Sequence, residues 1–348
     1  MKVLMIGSKL SVNGGITRVV KNYLKSELPI QVDLKYSSTY LGKSHFSNIV
    51  YFLIKLIYLW YHTRLNNYDV YHIHMSYKGS FVRKYILLKI LNKSKTKIII
   101  HLHGSQFKEF FNKSSKVKKK KIVKFFDECD VILALGDEWK RYYSSITNTK
   151  VISLDNAVFP KNIVKQTKEK IYISSMGLLS KRKGTYDIIE VIDKIKDEIP
   201  EGIKVLIGGD GDLEQIRKII DQKKLSDKIL TPGWIGDEKE IADIYEKSLI
   251  FLLPSYNEGM PMSILEAMSH GVPVISTNVG SIPSVVQHEV NGYIIEPGDK
   301  NKMEEYILEL INDKEKREDM SYLNLQKITK KYNLDKNIED LISIYKQG

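Results

Sequence analysis

Residues 254–275 read PSYNEGMPMSILEAMSHGVPVI and gather more chemistry than any other stretch of this 348-residue chain. Two glutamates, Glu258 and Glu266, stand eight positions apart in it. The apolar run 250–253 reads as a strand that ends at Pro254, and a loop follows. Pro261 is predicted as the first residue of a helix, where its missing amide hydrogen costs nothing. That helix, 262–269, is stopped by Gly271, with Pro273 just beyond. A helix N-terminus opening after a buried strand offers free amides near Gly259 and Met260, reinforced by the helix dipole. Together they suit a diphosphate without requiring a metal ion. Glu258 in the loop and Glu266 about a turn into the helix flank that position and can accept hydrogen bonds from sugar hydroxyls.

Other stretches add to this chemistry. Asn13-Gly14-Gly15 precedes a helix predicted over 16–28 and can bring backbone close to phosphate. The same glycines also suit a plain helix-starting turn. Gly208-Gly209-Asp210-Gly211 follows a predicted strand but lacks the third glycine of a dinucleotide fingerprint, which weakens a dehydrogenase reading. Histidines recur at two-residue spacing in His72/His74 and His101/His103, so each pair shares one face of a strand. No carboxylate or cysteine with ligand spacing lies near them in sequence, and no metal site is predicted.

These residues need a frame. Short runs rich in Val, Ile and Leu at 3–6, 70–73, 98–102, 131–133, 171–174, 205–207, 250–253 and 272–276 alternate with helix-length segments. That alternation is the signature of parallel sheets covered by helices on both faces. The stretch 156–170, with its proline and lysines, is the best linker, and the alternation restarts after it. The expected class is therefore α/β, with two Rossmann-like doubly wound domains facing across a cleft. The first spans 1–160, with a final helix at 333–348 packing back on it, and the second spans 161–332. Ligands of such folds bind at the carboxyl ends of the strands.

Composition bounds the remaining possibilities. Hydrophobic residues at 43% and charged residues at 28% belong to a globular protein. The single cysteine cannot form an intramolecular disulfide, and the first residues run directly into a strand pattern, so a cytoplasmic location is expected. The net charge of +12 is unevenly spread: residues 1–160 hold 27 Lys+Arg against 10 Asp+Glu, while 161–348 hold 27 against 32. An anionic surface is the natural counterpart of the first half. Residues 46–61 (FSNIVYFLIKLIYLWY) are almost wholly apolar and aromatic, and suit either a buried helix or one lying in a membrane interface. With the basic run at 113–124, the interfacial alternative points to anionic lipid. No nucleic-acid-binding motif accompanies the charge, and nucleic acid is not an expected partner.

The succession Glu258-Gly259, Glu266-Ala267-Met268 and Gly271-Val272-Pro273-Val274-Ile275 resembles the retaining glycosyltransferases of family four, which have the two-lobed GT-B fold. The resemblance is sharpest across the second half of the chain. It implies a nucleotide-diphosphate sugar as donor, most often a uridine one, and transfer with retention and without metal or other cofactor. It also implies that Glu258 contacts the donor hexose and Glu266 the nucleotide ribose, while Gly14 and Gly15 approach the diphosphate. Trp234, after Pro232-Gly233, falls near the nucleotide base, and His103, before Gly104, lies beside the reacting sugar. One departure stands out. The family carries Arg directly after a glycine and Lys before a later one, to neutralise the donor phosphates. Lys183 matches, but Leu178 occupies the Arg position, so Arg182 is the candidate to supply the missing charge. The acceptor implied is a saccharide, expected to be lipid-linked, in bacterial capsule, exopolysaccharide or O-antigen assembly at the inner membrane face. A nucleotide-sugar epimerase of the same fold, or a noncatalytic binder of anionic lipid or nucleic acid, would account for parts of the sequence.

Overall fold

The computed structural model describes residues 1–91, 96–161 and 169–347, and the chain divides into two compact units. The first comprises residues 1–156 and the segment from Leu334 onward, and the second is Ala157–Asn333. Part of the expected linker, 162–168, lies outside the described residues. The division falls earlier than the expected 160/161 because Ala157 and Val158 are buried, and the Val158 amide donates to Tyr332 O at 3.0 Å inside the second unit.

The first unit runs β1 (Lys2–Gly7), α1 (Gly15–Lys25), α2 (Leu28–Gln31), β2 (Asp33–Ser38), α3 (His45–Leu65), β3 (Val70–Met75) and α4 (Gly79–Ile90). It continues with β4 (Lys97–Leu102), α5 (Phe107–Asn112), α6 (Lys116–Asp127), β5 (Val131–Ala134), α7 (Gly136–Ser144) and β6 (Lys150–Ser153). Its described strands form one parallel sheet in the order β2-β1-β3-β4-β5-β6. The helix predicted over 16–28 is in fact two. Ser26 is extended and ends α1, and Pro29, which has no amide hydrogen to donate, sits in the first turn of the second helix.

The second unit runs β7 (Tyr172–Met176), α8 (Thr185–Ile195), β8 (Lys204–Gly208), α9 (Leu213–Gln222), β9 (Ile229–Gly233), α10 (Glu238–Glu246) and β10 (Ser248–Leu253). Then come α11 (Met262–Ser269), β11 (Val274–Thr277), α12 (Ile282–Val285), β12 (Gly292–Ile295), α13 (Lys300–Asn312) and α14 (Lys314–Lys331). Its described strands are also all parallel, in the order β12-β11-β10-β7-β8-β9. The last helix, α15 (Leu334–Lys346), belongs to the first unit. There the Tyr23 hydroxyl donates to Asn337 Oδ1 at 3.1 Å, and Asn337 Nδ2 donates to Asp155 O at 2.8 Å.

Strand order fixes where chemistry can sit. In the second sheet, β7, β8 and β9 step one way and β10, β11 and β12 step the other. The loops after β7 and β10 therefore diverge at a switch point, which opens a crevice. In the first sheet the corresponding point lies between β1 and β3. Four strands not anticipated from the sequence, β2, β6, β9 and β12, are the four sheet edges.

Candidate functional site

At the second unit's switch point, the loop after β10 carries Glu258 and the turn after β7 carries Lys181–Lys183. Glu258 is buried and its Oε1 is the focus of three groups. Lys183 Nζ donates to it, Ser255 Oγ donates to it at 2.8 Å, and Arg182 Nη1 lies 3.9 Å away. Arg182 Nη1 also donates to Asn257 O at 2.8 Å, while the Tyr256 amide donates to Arg182 O at 2.8 Å. Two cations and one carboxylate are thus locked together by backbone as well as by charge. Burying a carboxylate is costly unless it is paired and hydrogen-bonded in this way.

Glycines make this closeness possible. Gly184 follows the lysine turn with φ +71°, and a Cβ there would stand 2.2 Å from Pro254 O. Gly280, after β11 with φ +54°, leaves room for Glu258 O, which a Cβ would meet at 2.0 Å. The Ser281 amide donates to Gly259 O at 2.8 Å, fixing the loop from its other side. Pro261 is extended (φ −72°, ψ 124°) and caps α11 instead of forming its first turn, which corrects the expected position by one residue. The helix ends as anticipated: Gly271 is left-handed at φ +68°, and the Val272 amide donates to Ala267 O at 3.0 Å. Gly259 and Met260 are buried beside the N-terminus of α11, and Glu266 is half-buried one turn along it.

Leu178 is 45% exposed, and its Cδ1 would stand 2.9 Å from a Cβ at Gly211. The Arg expected at this place is thus replaced by an apolar side chain over a glycine, while Arg182 brings a guanidinium to Glu258 from the following turn. Gly208-Gly209-Asp210-Gly211 packs backbone against backbone: the Gly177 amide donates to Gly208 O at 3.0 Å and the Asp212 amide to Leu179 O at 2.9 Å. Trp234, just past β9, is 46% exposed. Ser255 and Gly280 were not singled out in the sequence. The available signal was a small residue two and three positions past the ends of β10 and β11.

In the first unit, Gly14 caps α1 with φ +142° and Gly15 is its first residue. A Cβ at either would meet nothing within 4 Å, so packing does not demand glycine at Gly15. His72 and His74 of β3 and His101 and His103 at the end of β4 form one cluster, stacked at centroid distances of 4.5–5.3 Å except for His101 and His103, which are tilted at 4.2 Å. His74 Nδ1 and His103 Nε2 are 2.9 Å apart, and His72 Nε2 and His101 Nδ1 are 3.2 Å apart. The Tyr345 hydroxyl stands 2.6 Å from His72 Nδ1. Burial holds His72 and His103 down to about 3, and His74 and His101 well below the usual histidine range. The imidazoles are therefore neutral near pH 7. Ligand atoms of His72, His74 and His101 lie within 4.8 Å of one another, a grouping that two-residue spacing on adjacent strands produces. The facing nitrogens of each cross-strand pair share a hydrogen bond, while His74 Nε2 and His101 Nε2 are buried without a hydrogen-bond partner among the described residues.

Comparison with known proteins agrees with this layout. Residues 158–327 match the family described as Glycosyl transferases group 1. An N-acetyl-alpha-D-glucosaminyl L-malate synthase of Bacillus anthracis is 25% identical over 294 residues, 80% of this chain and 74% of that protein. The UDP-Gal:alpha-D-GlcNAc-diphosphoundecaprenol alpha-1,3-galactosyltransferase of Escherichia coli is 28% identical over 312 residues, 83% of this chain and 78% of that one. Among solved structures, sucrose-phosphate synthase from Thermosynechococcus elongatus superposes with a TM-score of 0.83 at 14% identity, covering 100% of this chain and 99% of its own. The fold is GT-B, built from two Rossmann-like α/β units.

Proposed function

We propose, from the premise that this chain belongs to the glycosyl transferases group 1 family and is a glycosyltransferase, that it transfers a hexose with retention from a uridine diphosphate sugar to a lipid-linked saccharide. The observation that carries this reading is the Lys183–Glu258–Arg182 cluster at the switch point of the second sheet. The diphosphate is the leaving group. Lys183, Arg182 and the amides around Gly259 and Met260 face its growing negative charge with fixed positive groups, which lowers the barrier most where charge develops. These groups serve in place of a metal ion. Glu258 accepts hydrogen bonds from the donor hexose while positive charge builds at the anomeric carbon, and Glu266 holds the ribose hydroxyls. Trp234 covers the base.

The acceptor hydroxyl attacks on the face the diphosphate leaves, and the departing phosphate oxygen takes its proton. No carboxylate pair in the glycosidase arrangement of acid and nucleophile is invoked. The Escherichia coli relative, by its name, acts on a sugar carried by diphosphoundecaprenol. An acceptor of that class, in bacterial surface-polysaccharide assembly, also matches the +17 balance of residues 1–160, which suits the anionic surface of a membrane. Calorimetric titration with uridine, guanosine, adenosine and thymidine diphosphates tests the donor assignment. Uridine diphosphate binds selectively and Glu266→Ala weakens it; an absence of binding by all four would overturn the reading.

A further inference from the structure

Helix α3 is apolar on the side that faces solvent. Phe52, Leu59 and Thr63, at helical spacing, turn inward and are buried. The opposite side carries Phe46, Leu53, Ile54, Ile57 and Tyr61 at 53–76% exposure, with Trp60 at 47%. Projected at 100° per residue, the exposed apolar positions cover about half the circumference over more than four turns. Such a patch is larger than single scattered apolar residues on a monomer surface. Among the described residues, no helix is long and apolar enough to cross a membrane.

The surroundings of α3 select its counterpart. Strands β2, β3, β4 and β5 succeed one another in a single direction across the sheet, so right-handed crossovers place α3, α4 and α6 on one face. Arg64 Nη1 of α3 donates to Ile90 O of α4 at 3.2 Å, and Phe81 of α4 meets Phe125 of α6 edge to face at 5.4 Å. Outward on α4 stand Val82 and Ile86, and outward on α6 stand Lys116, Lys120 and Lys124 at four-residue intervals. The Arg64 guanidinium lies 4.4 Å over the Trp60 ring, and Lys55 Nζ lies 4.9 Å over Tyr58. An apolar helix edged by Trp, Tyr and basic side chains, with a lysine row one helix further along the same layer, matches the depth profile of an anionic bilayer: acyl chains, interface, headgroups. A second copy of this chain fits poorly, because a twofold contact would bring the same basic face against itself.

We propose that α3 lies in the plane of an anionic lipid bilayer with its outer face inserted at the headgroup boundary, while the lysines of α6 rest on the headgroups. This deepens, and rests on, the reading that the first unit works at a membrane surface. It does not depend on the donor chemistry. The test is flotation of the full chain with vesicles of phosphatidylglycerol and phosphatidylcholine, alongside tryptophan emission. Wild type floats with anionic vesicles, and its emission shifts to the blue; Trp60→Phe loses that shift. The double variant Leu53→Glu/Ile57→Glu reduces the bound fraction about tenfold or more. Replacing Lys116, Lys120 and Lys124 by Gln weakens binding by about fivefold per lysine.

Uridine diphosphate affinity measured without vesicles, the circular dichroism spectrum and the urea midpoint stay unchanged in both variants, which shows that both units are folded. Failure of donor binding alongside intact vesicle binding would count against the proposed reaction and leave the helix assignment standing. Vesicle binding that ignores Leu53→Glu/Ile57→Glu would overturn the assignment. So would a stable dimer that the same pair dissociates.

Discussion

The two units share one architecture and use it differently. In the second, loops after strands are pressed together by glycines, and the charges that matter, Lys183, Arg182 and Glu258, are tied to backbone and to one another. In the first, the ends of the strands carry four neutral, stacked histidines, and the distinctive features lie on the outer face of a helical layer. Donor chemistry constrains particular atoms, so it leaves compact marks in sequence. Association with a surface is met by a pattern spread over many residues, any one of which is replaceable. That the family match covers 158–327 accords with this contrast.

The sharpest way to break the comparison is to remove the charge at its centre. Glu258→Gln keeps size and hydrogen-bonding capacity but loses charge, and transfer should fall about 100- to 1000-fold in steady-state assays, the range for losing one group aimed at developing charge. Activity within about threefold of wild type would take Glu258 out of the reaction. Next, a methyl group distinguishes the glycines of the two units. Gly184→Ala meets both left-handed strain and Pro254 O, and should cost about 2–4 kcal/mol in urea unfolding. Gly15→Ala should leave stability within about 0.5 kcal/mol, because its Cβ points into open space.

The third test uses pH. His72, His74, His101 and His103 have folded values far below 6.5, so below pH 6.5 the unfolded chain binds more protons than the folded one. Stability of the first unit should therefore fall as the pH drops from 6.5 towards 3, by up to about 1.4 kcal/mol per pH unit for each histidine. Hydrogen exchange resolved by segment should show earlier acid opening in β3 and β4 than in β7 and β10. Equal opening would contradict it. The smallest effect is expected for Arg182→Ala, which should weaken uridine diphosphate sugar binding about tenfold through loss of one charge-assisted hydrogen bond. Unchanged affinity would mean that Leu178 marks a donor site with a single cation.

What could be read in advance follows the same physics. Every interior strand of both sheets was evident as a run of Val, Ile and Leu, because such strands are buried on both faces. The edges β2, β6, β9 and β12 escaped notice. β2 reads DLKYSS with exposed and half-buried positions, and β9 contains Pro232, which an edge tolerates since its missing amide faces no partner. Glu258 was visible through its loop and helix. Its cationic partners Lys183 and Arg182 were also visible, but Ser255 and Gly280 were not, because they act through proximity across two strand ends, which no local spacing encodes. The apolar stretch 46–61 was visible as a helix, yet which side faced the core depended on its neighbours.

The measurement that bears most directly on the account is proton NMR of the reaction between a uridine diphosphate α-hexose and a saccharide carried on a polyprenyl diphosphate. A new α-glycosidic linkage is expected, forming only when the acceptor is present and lost in Glu258→Gln. A β-linkage, or donor epimerised or hydrolysed equally fast without acceptor, would contradict it.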